Sequence, residues 1–244
     1  MSVFDVSSLP ERSGDVRVPE GVTRIVRSDV RSVHVIRSLH IPASVRTIEE
    51  RAFQNVPIHG ELTFDRGSRL TTVEDNAFSN SIVHPQRIVF PTSLREFGEN
   101  CFLACNFTSV EITNDRAVVG ENAFFGSQML TEVIFTDTPT TDNIGFNREI
   151  HVNAFAFCNA LTRIDATGVK RVDDEAFVGN PDDPDITHAR FVHCLHFGEH
   201  VFTGKRITRL EIGKRSITFA ELALDGAEIT NVYYNNMYTP DTVY

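Results

Sequence analysis

The sequence predicts a repeat solenoid of short parallel β-strands, and three observations carry that prediction. The 244 residues include 19 Phe against 4 Tyr and no Trp. Phe is the aromatic with no polar handle, so the excess points to one packing role used many times. An Ala-Phe dipeptide or close variant recurs with Phe at 53, 78, 102, 124, 155, 177 and 202, then as Ala223-Leu224, at steps of 22 to 31 residues. Five residues before each stands another apolar side chain: Ile48, Val73, Phe97, Val119, Ile150, Val172, Phe197 and Phe219. Units this short cannot bury an apolar side alone and must stack.

Taken in order, residues 1–37 are expected to form an N-terminal cap containing a degenerate first unit at residues 16–22. About eight or nine units follow over residues 38–234. Each opens with an alternating run such as Leu39-His40-Ile41-Pro42, Ile88-Val89-Phe90-Pro91 or Leu210-Glu211-Ile212. Such a run reads as a strand of about three to five residues with alternate side chains inward. Pro after it fixes φ and withholds a ladder donor where pairing stops. The apolar-x-x-x-Ala-Phe segment crosses back, with Ala where the coil is tight and Phe at the centre. Asn at 76, 100, 122 and 153 holds one repeat position, which suggests a local turn hydrogen bond. An insertion around residues 136–149 and an acidic loop at 180–185 lengthen two turns, and such loops emerge at the surface. Either one docks a partner or is simply tolerated, and tolerance is favoured. Residues 229–234 read as the last strand and 235–244 as a tail; all four Tyr lie in the last twelve residues.

Stretches such as Ile41-Pro42-Ala43-Ser44-Val45 through Ile48 to Ala52-Phe53, and Phe90-Pro91-Thr92-Ser93-Leu94 to Cys101-Phe102, resemble the BspA-type leucine-rich repeat. Its pattern is an apolar strand, Pro-x-Ser-Val, then Ile and Ala-Phe-x-x-Cys; Cys105 and Cys158 fall at the Cys position. The resemblance covers roughly residues 38–234. It implies a leucine-rich-repeat solenoid with parallel strands on a concave sheet and irregular or short-helical convex crossings. It also implies the role of its relatives, mostly surface or secreted proteins of bacteria and parasitic protists implicated in adhesion.

Charge and motif content narrow the function. The net charge is −10, and no segment forms a basic stripe that would track phosphates, so nucleic acid is not an expected partner. No apolar run approaches the roughly 18 residues of a membrane helix. The N-terminus reads neither as a secretory signal nor as a transit peptide. The expected address is therefore the cytoplasm, with the cell surface as the alternative. Cys101, Cys105, Cys158 and Cys194 form no CxxC pair and read as buried small hydrophobes. His188, His193, His196 and His200 cluster with Cys194 as zinc ligands would. Repeat alignment instead turns Cys194 inward and spreads the His over strand, turn and crossing, so no metal is expected. Phosphate loops and hydrolase signatures are missing. No catalytic residue, cofactor or enzymatic activity is expected.

The favoured functional element is a surface. On the concave face the outward positions form two columns, and towards the C-terminus these gather Arg163, Asp165, His188, Arg190, Arg209, Glu211 and Tyr233. Arg and Tyr are favoured interface anchors. A merely solvated face would instead show these ions paired across strands. The expectation is a non-enzymatic protein-binding or scaffold module using this face and its loops. The alternatives are a surface adhesin and a structural subunit joined by end-to-end contacts.

Overall fold

The computed structural model describes residues 2–29, 34–136, 147–213 and 217–235. Strands on two sides of the coil alternate along the chain. The odd-numbered strands are β1 (Ser2–Asp5), β3 (Val22–Val26), β5 (Thr47–Ile48), β7 (Thr72–Val73), β9 (Glu96–Phe97), β11 (Val118–Val119), β13 (Arg148–Ile150), β15 (Val169–Val172), β17 (His196–Phe197) and β19 (Thr218–Phe219). They form one continuous ten-stranded parallel sheet. The even-numbered strands are β2 (Arg12–Arg17), β4 (Val35–Ile41), β6 (Leu62–Phe64), β8 (Gln86–Val89), β10 (Phe107–Ile112), β12 (Glu132–Phe135), β14 (Arg163–Asp165), β16 (His188–Phe191), β18 (Arg206–Gly213) and β20 (Glu228–Asn235). These split into a three-stranded sheet, β2-β4-β6, and a seven-stranded sheet, β8 to β20. At the split the Leu62 amide donates to the buried Gln86 side chain at 3.1 Å, bridging the two sheets.

The repeat solenoid is thus present, and its first turn starts earlier than the regular repeats: β2 pairs with β4, Val16 beside Leu39. The crossings are irregular rather than helical. The apolar column five residues before each Phe is itself a sheet of mostly two-residue strands, with Ile48, Val73 and Phe97 in register. The described residues contain a single 3-10 turn, Val6–Ser8, and it lies at the N-terminal end.

The third side is the Ala-Phe corner, where residues two before and two after the Phe take left-handed backbone. Arg51, Asn76, Asn100, Asn122, Asn153, Glu175 and His200 have φ of 53–57°, and Asn55, Asn80, Ala104, Gly126, Phe157 and Gly204 sit at φ of 53–77°. Alternating handedness turns every second N–H toward the next turn. The Asn76, Phe78 and Asn80 amides donate to the carbonyls of Glu99, Cys101 and Leu103 at 2.7–2.8 Å, and later turns repeat the scheme. Asn recurs because it tolerates this φ best after Gly. Local side-chain bonds, Asn100 to Glu99 at 3.0 Å and Asn122 to Glu121 at 3.4 Å, are secondary.

That spacing stacks the rings. Consecutive pairs of Phe53, Phe78, Phe102, Phe124, Phe155, Phe177 and Phe202 lie 4.9–5.6 Å apart and within 16° of parallel. Each stack contributes about 0.5–1.5 kcal/mol beyond the burial of its area. Phe90, Phe97 and Phe107 pack against this column edge-on or tilted.

Both lengthened turns are pinned by buried cations. The fully buried Arg148 guanidinium donates to the carbonyls of Asn114, Thr167 and Thr136 at 2.8, 2.6 and 2.7 Å, closing the corner where the insertion leaves and rejoins. Most of that insertion, residues 137–146, lies outside the described residues. In the 180–185 loop Asp183 turns inward to meet Lys205 at 2.5 Å, both nearly inaccessible. Breaking such a pair leaves one buried charge uncompensated, at a cost of about 3–5 kcal/mol. This acidic loop therefore has a structural part to play in the stack.

Phe124→Ala, in the middle of the ring column, should cost about 3–5 kcal/mol in a urea titration. Ala104→Gly should act oppositely. Ala104 is exposed at φ 53°, so removing its Cβ should stabilise by about 1 kcal/mol despite the added chain entropy.

Candidate binding surface

All seven candidate residues lie on the outward side of four adjacent strands, β14, β16, β18 and β20. Register sets Arg163 beside His188, Asp165 beside Arg190, Arg190 beside Glu211, and Glu211 beside Tyr233. Period-2 alternation sends their neighbours Ile164, Ala189, Leu210 and Val232 to the other side of the sheet.

Glu211 is the hub. Only 7% of its side chain is accessible, and it holds Arg209 at 2.6 Å, His188 at 3.1 Å and Arg190 at 3.6 Å. Arg190 also reaches Asp165 at 3.7 Å and donates to Thr167 Oγ1 at 3.1 Å; Thr167 donates to Asp165 at 2.6 Å. The Arg209 guanidinium lies 4.1 Å from the centre of the Tyr233 ring. The Arg163 side chain stands apart, exposed, with its hydrogen bonding among the described residues confined to the backbone. Most of the patch therefore shows the cross-strand pairing of a solvated face. That pairing also fixes the orientation of its Arg and Tyr side chains.

Burial raises the Glu211 carboxyl, but hydrogen bonds from Arg209 and the charges of His188 and Arg209 outweigh it and hold its pKa below the ordinary glutamate value. Burial pushes the thiols up, Cys105 to about 11 and Cys158 and Cys194 to about 12, with Cys101 well above its ordinary value. All four are protonated at neutral pH, the opposite of what a nucleophilic thiol requires.

The four clustered His point to different surroundings. His188 joins Glu211 on the long-strand face, His193 Nδ1 accepts from the Gly168 amide at 3.1 Å, His196 lies on β17 and His200 occupies a left-handed corner position. No group of three or more His, Cys, Asp or Glu among the described residues is placed to hold a metal.

Two features escaped the sequence reading. His40 bridges Thr63 and Asp65, each at 2.9 Å, at the opposite end of the same face. Along the corner the position three before every column Phe except Phe155 carries an acid, Glu50, Asp75, Glu99, Glu121, Asp174 or Glu199, all exposed. The first four line a groove of about 590 Å³. The repeat columns held that signal, since the position is acidic in nearly every unit. Recurrent Gly beside it follows from close approach: a Cβ on Gly98 would lie 2.7 Å from the Asp75 backbone nitrogen.

A family model of the BspA-type leucine-rich repeat region matches in six copies, over residues 25–147, 61–182 and 134–240. Among solved structures, a leucine-rich repeat protein from Bacteroides ovatus is 17% identical with a TM-score of 0.50, covering 84% of this chain and 65% of its own. The chain thus spans about two-thirds of that protein's length. A leucine-rich repeat protein from Eubacterium ventriosum is 14% identical with a TM-score of 0.46, covering 89% and 72%. The pneumococcal vaccine antigen PcpA is 15% identical with a TM-score of 0.38, covering 92% and 69%. At 17% identity the likeness to the Bacteroides ovatus protein speaks to the fold alone. A comparison with curated proteins finds no match.

Because the Glu211 pKa is lowered in the folded chain, its contribution to stability is full above the unfolded-state value and fades as pH falls through the folded one. Urea midpoints measured down through the acidic range should show Glu211→Gln less stable at neutral pH, with the gap to the parent chain closing on acidification.

Proposed function

The chain belongs to the BspA-type leucine-rich repeat family, and from that premise we propose that it is a non-enzymatic protein-binding module. Its contact surface is the C-terminal third of the long-strand face: Arg163, Asp165, His188, Arg190, Arg209, Glu211 and Tyr233. The observation that carries this reading is the Arg209–Tyr233 stack, 4.1 Å apart, with Tyr233 43% exposed on β20. Arg and Tyr supply large contact area with directed hydrogen bonds, and a side chain held in place before binding loses less entropy on binding. The Glu211 network holds Arg209 in that way.

For location, the cytoplasmic address read from the N-terminus finds no support in the comparisons. The adhesive, surface-exposed role implied by family resemblance is the setting we favour, with a scaffold role inside the cell as the alternative. Among the described residues no helix is long and apolar enough to cross a membrane.

Arg209→Glu and Tyr233→Ala should each weaken capture of a partner from surface extracts or matrix proteins by about tenfold or more, the effect of removing an interface anchor. Thermal unfolding of Tyr233→Ala should stay close to that of the parent chain; Arg209→Glu, which takes a partner from Glu211, should unfold at a lower temperature while staying folded under the capture conditions. Unchanged capture by a folded double variant would refute the placement.

A further inference from the structure

One aromatic side chain sits where the corner backbone least favours it. Two residues after the column Phe the chain takes left-handed φ, and the turns place Asn55, Asn80, Ala104, Gly126 and Gly204 there. In the turn of Phe155 that position is Phe157, at φ 56°. A bulky residue in this region carries strain that Gly would avoid, and such strain collects at functional positions. The ring gains little burial in return: it stays 37% exposed, edge-on to Phe125 at 5.3 Å. Around it the surface is apolar. Leu103, Phe125 and Val178, all half-buried, hold the position one after the column Phe, where other turns carry Gln54, Ser79 and Thr203. Corner amides tie these turns together, Ala104 donating to Phe125, Gly126 to Ala156 and Phe157 to Val178 at 2.8–2.9 Å. Met129, 42% exposed, lies on the segment that leaves the same corner.

We propose that this patch docks a segment of a partner protein in which Arg alternates with apolar residues. Charge selects that occupant. The corner segments 98–106, 120–129, 151–159 and 173–180 hold five carboxylates and no Lys or Arg. Of the five, only Asp173 is in an ion pair, with Arg171. Glu99, Glu121, Asp174 and Glu175 are exposed and in no ion pair among the described residues. Such a rim repels an acidic segment, and it repels the same patch on a second copy of the chain. Arg answers both features of the surface, because a guanidinium stacks on an aromatic face and also pairs with a carboxylate. Apolar residues between the Arg cover Phe157, Phe125 and Leu103, giving the contact its water-free centre. The contact is independent of the Arg209–Tyr233 surface, which lies on the long-strand face.

Fluorescence anisotropy of a short labelled peptide alternating arginine and leucine, titrated with the full chain, tests this. Two counterpart peptides carry glutamate for arginine or serine for leucine. The parent chain should bind the arginine-leucine peptide at least about tenfold more tightly than either counterpart. Phe157→Asn should weaken that binding about tenfold with an unchanged or raised urea midpoint, because Asn tolerates the left-handed φ. Glu121→Gln combined with Asp174→Asn should weaken it as well and flatten its salt dependence, and this pair decides the matter if Phe157→Asn fails to fold. No binding of the arginine-leucine peptide, or equal binding of the serine counterpart, overturns the proposal. So does parent-like binding by either folded variant, or a marked fall in the Phe157→Asn midpoint, which would make the ring a packing element. The Arg209→Glu, Tyr233→Ala chain should bind the peptide as the parent does. Loss of binding there would put the peptide on the long-strand face and overturn this placement while leaving that surface standing.

Discussion

The spacing between turns governs this molecule, and the backbone sets it. At the Ala-Phe corner, left-handed residues alternate with right-handed ones, so amides at every second position reach the next turn at about 2.7–3.1 Å. Two parallel sheets on the other sides impose the same repeat. A ring placed once per turn at that spacing has one low-cost arrangement, the offset parallel stack. The Phe column is thus a consequence of the ladder as well as a contributor to it. Ala beside it and Gly at positions such as 98 and 120 allow the close approach that larger residues would block.

The same regularity organises the surface. Every outward position becomes a column, so a side chain's neighbours are its counterparts one turn away rather than its neighbours in sequence. Glu211 gathers His188 and Arg190 from β16 in this way, beside Arg209 on its own strand, and the acidic corner arises likewise. The corner ladder is also directional: amides face the C-terminal end and carbonyls the N-terminal end. Arg27 at the Gln54 carbonyl suits that polarity, as cations suit helix C-termini. Where the repeat is lengthened, Arg148 and Lys205 replace the missing regularity with buried charge-assisted bonds.

Much of this was legible in the sequence because period carries so much of it. Seven Phe positions, the apolar column five residues earlier and the outward placement of all seven patch residues follow from spacing alone. Strands of two residues have no alternation to detect, so the continuous second sheet was hidden within crossings expected to be irregular or short-helical. The recurrent Asn was visible, but its cause is a backbone angle, and side-chain chemistry pointed instead to a hydrogen bond. Arg148 and the Lys205–Asp183 pair were hidden because their partners are carbonyls and a loop residue outside the repeat. The Tyr cluster is only partly accounted for: Tyr233 and Tyr234 sit on β20, while Tyr238 and Tyr244 lie outside the described residues.

The corner ladder is tested most directly by native-state amide hydrogen exchange, read residue by residue. If the alternating backbone sets the spacing, the Phe78, Phe102, Phe124 and Phe155 amides exchange as slowly as those of the central strands β10, β12 and β16, through the same global unfolding. Exchange at these corner amides orders of magnitude faster than in those strands would show the corner to be a loose connection. The two sheets alone would then hold the turns in register.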